Sequence, residues 1–310
     1  MKIRLGTRAS ILARTQSGWV ADQLRKVDPG LEIEEVLIET IGDQDQETPL
    51  HEAGAPGVFT AEVERALLDG RVDLAVHSLK DLPIRQPDGL TLAAIPQRED
   101  PRDAWISESF AGLVDMPAGS VIATGSLRRR CQILNRYPHL VVEGIRGNID
   151  TRISKYRERG AEGLILAAAG MHRLSRQLDY RSLISVTEIT PAPGQGALAL
   201  EVRIDDQNLV KLISEIDHSK TRDCVTAERA LLQALGGGCH LPVGALAGIS
   251  GDTLSLCGVL GSLDGTDLVR LSAEGSRHDP QAIGAELADL IRKTGGDEIL
   301  RQLDAGLEQG

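Results

Sequence analysis

Short apolar stretches alternate with helix-period segments from the first residues, and the alternation starts again after Pro101. Ile3-Arg4-Leu5 reads as a strand, and Ile11, Leu12, Trp19, Val20, Gln23, Leu24 and Val27 predict a helix after Ser10. Leu31 to Thr40 is a second strand, residues 42–58 a polar loop rich in Gly and Pro, and Val63, Ala66 and Leu67 mark a helix from about Phe59. Val72–Val76 and Leu90–Ile95 are strands. In the second round, strands over Val121–Ala123, Leu140–Val142 and Leu164–Leu166 enclose helices over Ser126–Tyr137 and Ile149–Arg159. This β-α-β order predicts α/β sheets of parallel type. After the punctuation Pro191-Ala192-Pro193-Gly194-Gln195-Gly196 comes a strand over Ala197–Val202 and a helix over about Ser219–Leu235, ending in Gly236-Gly237-Gly238. Strands over Val243–Ile249, Thr253–Leu260 and Asp267–Ala273, then helices from about Pro280, predict an antiparallel α+β ending.

Composition narrows the function classes. The net charge of −11 and the 2% aromatic content argue against a nucleic-acid binder, which needs a basic footprint or stacking platforms. No apolar run approaches the roughly 20 residues of a membrane span. The start, Met1-Lys2-Ile3-Arg4-Leu5-Gly6, lacks the pattern of a secretory signal, and Cys131, Cys224, Cys239 and Cys257 are too scattered for a disulfide framework. A reducing cytoplasm is the expected setting. The seven histidines lack metal-ligand spacing, so no metal site is expected.

Three places can carry chemistry. Cys239 follows three glycines at a helix end, on a loop where a thiolate could be reached; on spacing alone a buried loop cysteine is the favoured reading. Cys131, beside Arg128-Arg129-Arg130, is its rival for a reactive thiol. His77-Ser78-Leu79-Lys80-Asp81 follows a short apolar strand, where α/β sheets collect ligand groups, although a capped turn with solvated charges fits as well. Finally, residues 128–181 hold twelve basic residues against five acidic ones. Ser126-Leu127-Arg128-Arg129 and Arg146-Gly147-Asn148 each open a helix after a strand, where backbone N–H groups bind anions. Such a cluster in an acidic chain suggests a polyanionic small molecule; solvated helix faces are the alternative.

Taken in order, these segments closely resemble the hydroxymethylbilane synthase (porphobilinogen deaminase) family. The resemblance rests on Gly6-Thr7-Arg8-Ala9-Ser10, His77-Ser78-Leu79-Lys80-Asp81-Leu82-Pro83, Arg98-Glu99-Asp100-Pro101-Arg102-Asp103, Thr124-Gly125-Ser126-Leu127-Arg128-Arg129-Arg130, Arg146-Gly147-Asn148, Gly194-Gln195-Gly196, Thr226-Ala227-Glu228-Arg229 and Gly237-Gly238-Cys239. It implies two similar α/β domains with the fold of periplasmic binding proteins and a C-terminal α+β domain with a small antiparallel sheet. The expected boundaries are 1–97 with 196–216, 98–195, and 217–310. The site is expected between the first two domains.

The resemblance also implies chemistry. Cys239 would hold a dipyrromethane cofactor through a thioether. Four porphobilinogen units would be condensed on it, each losing ammonia, and the linear tetrapyrrole would be released by water. Asp81 would bind pyrrole N–H groups, stabilise the cationic azafulvene and take up the proton lost after coupling. Arg8, Arg128, Arg129, Arg146, Arg152 and Arg173 match ligand-binding positions; Ser10, Ser78, Lys80, Thr124 and Ser126 match cofactor contacts, with Gln16 and Gln195 as neighbours. A cytoplasmic monomer is expected by analogy. A non-catalytic solute-binding or ligand-sensing protein on the same fold would account for the arginines but not for the Gly-Gly-Cys loop or the Asp81 motif.

Two departures stand out. The loop before the Phe59 helix reads Gly54-Ala55-Pro56-Gly57 where the family usually has Gly-x-Lys-Gly, and Gly125 replaces a Ser. Gly54, Pro56, Gly57 and Phe59 would form a lid, and between Lys26 and Arg65 the chain has no Lys or Arg. Substrate capture is therefore expected to depend on the arginine cluster.

Overall fold

The computed structural model describes residues 1–40, 60–176, 179–238 and 241–307. They form two compact units: the chain up to Glu99 together with Gly196–Arg222, and Asp100–Gln195 together with the chain from Asp223 onward.

Among the described residues, the first unit holds a five-stranded sheet in the order Glu32–Ile38, Lys2–Arg8, Leu74–Ser78, Leu198–Arg203, Leu90–Ala94. The first three strands are parallel and the fourth is antiparallel to both its neighbours. Side-chain alternation sorts the two faces. Leu198, Leu200 and Val202 join Ile3, Leu5, Leu74 and Val76 under helices Ile11–Val27 and Gln207–Ser214. On the other face Val63, Ala66 and Leu67 of helix Ala61–Leu68 pack on Val72, Ala75 and Leu90.

The second unit repeats the plan. Its five-stranded sheet runs Val141–Glu143, Val121–Ala123, Gly163–Ala167, Asp103–Ile106, Ser182–Leu183. Again three parallel strands are followed by an antiparallel one and an edge strand. β-α-β crossovers account for the parallel triple; a chain segment arriving from elsewhere supplies the reversed strand. The same unit carries a three-stranded antiparallel meander, Val243–Ser250, Thr253–Gly261 and Leu268–Ser276, covered by helices Ser219–Ala234 and Pro280–Ile291. The architecture is thus the expected one: two alike α/β sheets and a small antiparallel α+β element.

The parallel reading of the sheets needs one correction each, because Leu198–Arg203 and Asp103–Ile106 run antiparallel. By its contacts the first unit extends to Arg222. Asp217 accepts from the Ile95 N–H at 2.6 Å, and Arg98 N–H donates to Thr221 Oγ1 at 3.2 Å, so the start of helix Ser219–Ala234 is held by the first unit.

Trp105 is the largest fully buried side chain, its indole N–H donating to Phe110 O at 3.0 Å. Gly163 gives its ring room: a Cβ there would lie 1.9 Å from Trp105 Cη2. Gly163→Ala should therefore overpack the sheet and cost about 1–3 kcal/mol, read as a lower urea midpoint with an unchanged slope.

Candidate active site

Strands Lys2–Arg8 and Leu74–Ser78 end where helices Ile11–Val27 and Ala61–Leu68 begin. There an open cavity encloses about 400 Å³, solvent included, lined by Thr7, Arg8, Gln16, Thr60, His77, Ser78 and Asp81 with Ala13, Val63 and Val76. Polar groups gather at this end because strand termini and helix N-termini both leave backbone donors unpaired. Ser10 caps helix Ile11–Val27, its Oγ accepting from Ala13 N–H at 3.3 Å, which leaves its hydroxyl proton to give. Gln16 is buried and donates through Nε2 to Ser78 Oγ at 3.0 Å. Two candidate site residues 62 positions apart thus meet. Leu79 N–H donates to Ala197 O at 3.0 Å, anchoring the Leu79–Asp81 turn. This turn leaves Lys80 half-buried and Asp81 exposed at the cavity.

The second unit gathers the paired arginines on an acid. Arg128 and Arg129, each 4% exposed, flank Asp103, 1% exposed. Arg128 Nη1 lies 2.9 Å from Asp103 Oδ2, and Arg129 Nη2 lies 2.8 Å from Oδ1. Arg128 also donates to Thr190 O at 2.7 Å and Arg129 to Ile165 O at 2.9 Å. Gln195 Nε2 completes the shell, donating to Asp103 Oδ1 at 2.8 Å and to Pro101 O at 2.6 Å. Burial alone would push the Asp103 carboxyl up, but the charges of Arg128 and Arg129 hold it well below the usual carboxylate range. Neither arginine lies on a solvated helix face. Each keeps an Nε–H that is buried and without a partner among the described residues.

Around this core, Ser126 caps helix Leu127–Arg136 through Arg129 N–H at 3.4 Å, and buried Thr124 accepts from Ser126 N–H and Arg129 Nη1, both at 3.4 Å. Arg152 is tied to Gly147 O at 2.7 Å. Arg146 is half-buried with Nη1 sealed from solvent and unpaired among the described residues, and Arg173 is half-buried at the end of helix Ala168–Arg173. Gly125 has a steric reason: a Cβ would sit 2.7 Å from Ile145 O. Cys131 is fully buried and burial pushes its thiol up to about 12, so it is a packing residue despite its arginine neighbours.

Gly236, Gly237 and Gly238 all have positive φ, and Gly237 N–H donates back to Leu232 O at 2.9 Å, closing helix Ser219–Ala234 as only glycines do without strain. Cys239, the next residue, lies outside the described residues, as do the lid positions Gly54, Pro56, Gly57 and Phe59.

Two family models match in succession. The one described as porphobilinogen deaminase, dipyromethane cofactor binding domain, covers residues 3–211, and the porphobilinogen deaminase C-terminal domain covers residues 223–293. The chain belongs to the porphobilinogen deaminase family. It is a transferase of heme and tetrapyrrole biosynthesis that condenses four porphobilinogen molecules, with loss of ammonia, on a dipyrromethane cofactor and releases hydroxymethylbilane. Among solved structures, a putative methionine-binding lipoprotein of Bacillus subtilis is similar at 13% identity, covering 71% of this chain and 91% of its own, with a TM-score of 0.43. The periplasmic aliphatic sulphonate binding protein of Escherichia coli is similar at 12% identity, covering 75% and 70%, with a TM-score of 0.39. No helix among the described residues is long and apolar enough to cross a membrane.

Sequence reasoning misses the acids that organise these places. Asp103 ends the Arg98–Asp103 motif, and the signal of its burial is the apolar run Ala104-Trp105-Ile106 directly after it. Glu201 interrupts the apolar run Leu198-Ala199-Leu200 and Val202, and its side chain is fully buried. Asp103→Asn should leave two buried guanidinium groups short of a counter-charge and cost about 3–5 kcal/mol in denaturant titrations. Because the folded carboxyl titrates below its unfolded value of about 3.8, its contribution is complete above that pH and is lost as pH falls further. The gap between the wild-type protein and Asp103→Asn should accordingly narrow on acidification; a gap independent of pH would show that the pair adds nothing electrostatic.

Proposed function

We propose that Asp81 is the proton-handling carboxylate of the condensation and that the dipyrromethane cofactor is carried by Cys239 as a thioether. The observation that carries this is the cavity at the strand ends, which sets the exposed Asp81 carboxylate beside Arg8, Gln16 and Ser78. A pyrrole with acetate and propionate arms needs an acceptor for its ring N–H and donors for its carboxylates, and that set contains both. When bound, the cofactor supplies the nucleophilic pyrrole carbon on which the chain grows.

The chain's own residues have the remaining work. Asp81 accepts the pyrrole N–H hydrogen bond of the incoming porphobilinogen, offsets the positive charge left as ammonia departs, and takes up the proton released after coupling. Arg8, Lys80, Arg128, Arg129, Arg146, Arg152 and Arg173 bind acetate and propionate groups. Ser10, Gln16, Ser78, Thr124, Ser126 and Gln195 orient these cations and the cofactor. The division is into domains 1–97 with 196–216, 98–195 and 217–310, in an enzyme working as a cytoplasmic monomer without nucleic-acid partners.

Two measurements test this. Intact mass spectrometry of the purified protein should show a dipyrrole adduct that maps to the peptide containing Cys239. An unmodified Cys239 in active protein, or an adduct on Cys131, would exclude the attachment. Asp81→Asn keeps shape and removes basicity, so turnover should fall by about 10²–10⁴-fold while the fold persists. Near-normal turnover would assign the proton work to another group.

A further inference from the structure

Strand Leu74–Ser78 leads directly into the Leu79–Asp81 turn, so whatever fixes the strand end also fixes Asp81. On one side of the sheet that end is held by Gln16 through Ser78. On the other side lies a polar cluster with no apolar purpose. In the antiparallel register His77 faces Ala199 and Ala75 faces Glu201, so all four share one face and His77 and Glu201 are diagonal neighbours. The two alanines leave room between them. His77 Nε2 meets Glu201 Oε2 at 3.1 Å, with His77 6% and Glu201 0% exposed. Helix Ala61–Leu68 packs on this face through Val63, Ala66 and Leu67 and brings Glu64, 7% exposed, to the same place.

Buried ionisable groups contribute less to stability than apolar side chains of equal volume. Their presence at the cavity, which His77 itself lines, calls for a role other than stability. We propose that His77 and Glu201 are positioning residues for the reaction, a cross-strand clamp that holds the end of strand Leu74–Ser78 and thereby the turn that presents Asp81. Glu64 lies beside the clamp: burial first, and then the Glu201 charge, push its carboxyl above the usual range while His77 opposes them. The proposal rests on Asp81 being the proton-handling group.

The test uses the full-length enzyme with its cofactor assembled. His77→Leu removes the clamp and keeps volume; kcat should fall about 10–100-fold, the scale of small misplacements in an active site, with KM for porphobilinogen within about twofold. His77→Gln, whose amide N–H can still reach Glu201, should restore most of the loss, and Glu201→Gln should lower kcat in the same direction. Amide exchange at Leu79, whose N–H bonds Ala197 O, should quicken in His77→Leu at unchanged global stability. Wild-type kcat in folded His77→Leu, or in Glu201→Gln if His77→Leu does not fold, overturns the proposal, as does an equal loss in His77→Leu and His77→Gln. Asp81→Asn measured alongside separates the two levels. Near-normal turnover in Asp81→Asn removes the reading beneath the clamp, whereas an inactive Asp81→Asn beside an unaffected His77→Leu removes the clamp alone.

Discussion

One carboxylate, Asp103, organises the second unit. It stands at the first position of a fully buried strand and accepts two guanidinium groups and the Gln195 amide. Through Arg128 it reaches Thr190, through Arg129 it reaches Ile165 and Thr124, and through Gln195 it reaches Pro101. Four stretches distant in sequence are thus joined at a point with no access to water. Ion pairs of this kind are poor sources of net stability, because desolvation consumes most of the attraction. What they contribute is geometry: the alternatives, in which any one partner is displaced, leave a bare charge in a low-dielectric core.

The first unit uses the same arrangement where it costs less. Asp73 sits between Arg4 and Arg203, with Arg4 Nη2 at 2.7 Å and Arg203 Nη2 at 3.0 Å. Burial would raise its carboxyl, but hydrogen bonds from Arg4 lead the effects that lower it to about 2. This triplet lies at the opening of strand Leu74–Ser78, while His77, Ser78 and Asp81 lie at its close. Solvent screens the half-exposed triplet, so its worth is small. Its place still matters, because the charges that tie the sheet together are kept at the end away from the cavity.

How far all this is legible in the sequence depends on the kind of signal. Helices such as Ile11–Val27 and Ile149–Arg159 carry caps and periodicity within one segment, and Ser10, Ser126 and Asn148 cap where expected or nearby. Strand Asp103–Ile106 escapes a sequence reading, since four residues behind a charged motif give no period, and helices Gln207–Ser214 and Ala168–Arg173 escape it for similar brevity. The direction of Leu198–Arg203 lies in pairing with Leu74–Ser78 and Leu90–Ala94, more than a hundred residues away, and no local pattern encodes it. For the same reason Arg128 and Arg129 read as a basic surface run. Their counter-ion is 26 residues from Arg129, and composition cannot say that the three are buried together. Meetings such as Gln16 with Ser78 are legible only through the family resemblance, which marks positions but not partners.

The pairing with Asp103 changes how a polyanion can be held by the proposed site. Two guanidinium groups and one carboxylate leave a single net positive charge, not two, so this cluster alone cannot balance a chain that gains carboxylates at each addition. Its compensation is order. Arg128 and Arg129 are already desolvated and fixed by Asp103, Thr190 and Ile165. Arg146, Arg152 and Arg173 are half-buried and so retain partial solvent contact. Burial explains why Arg128 and Arg129 need a resident carboxylate: Asp103 offsets the repulsion of two like charges held out of water.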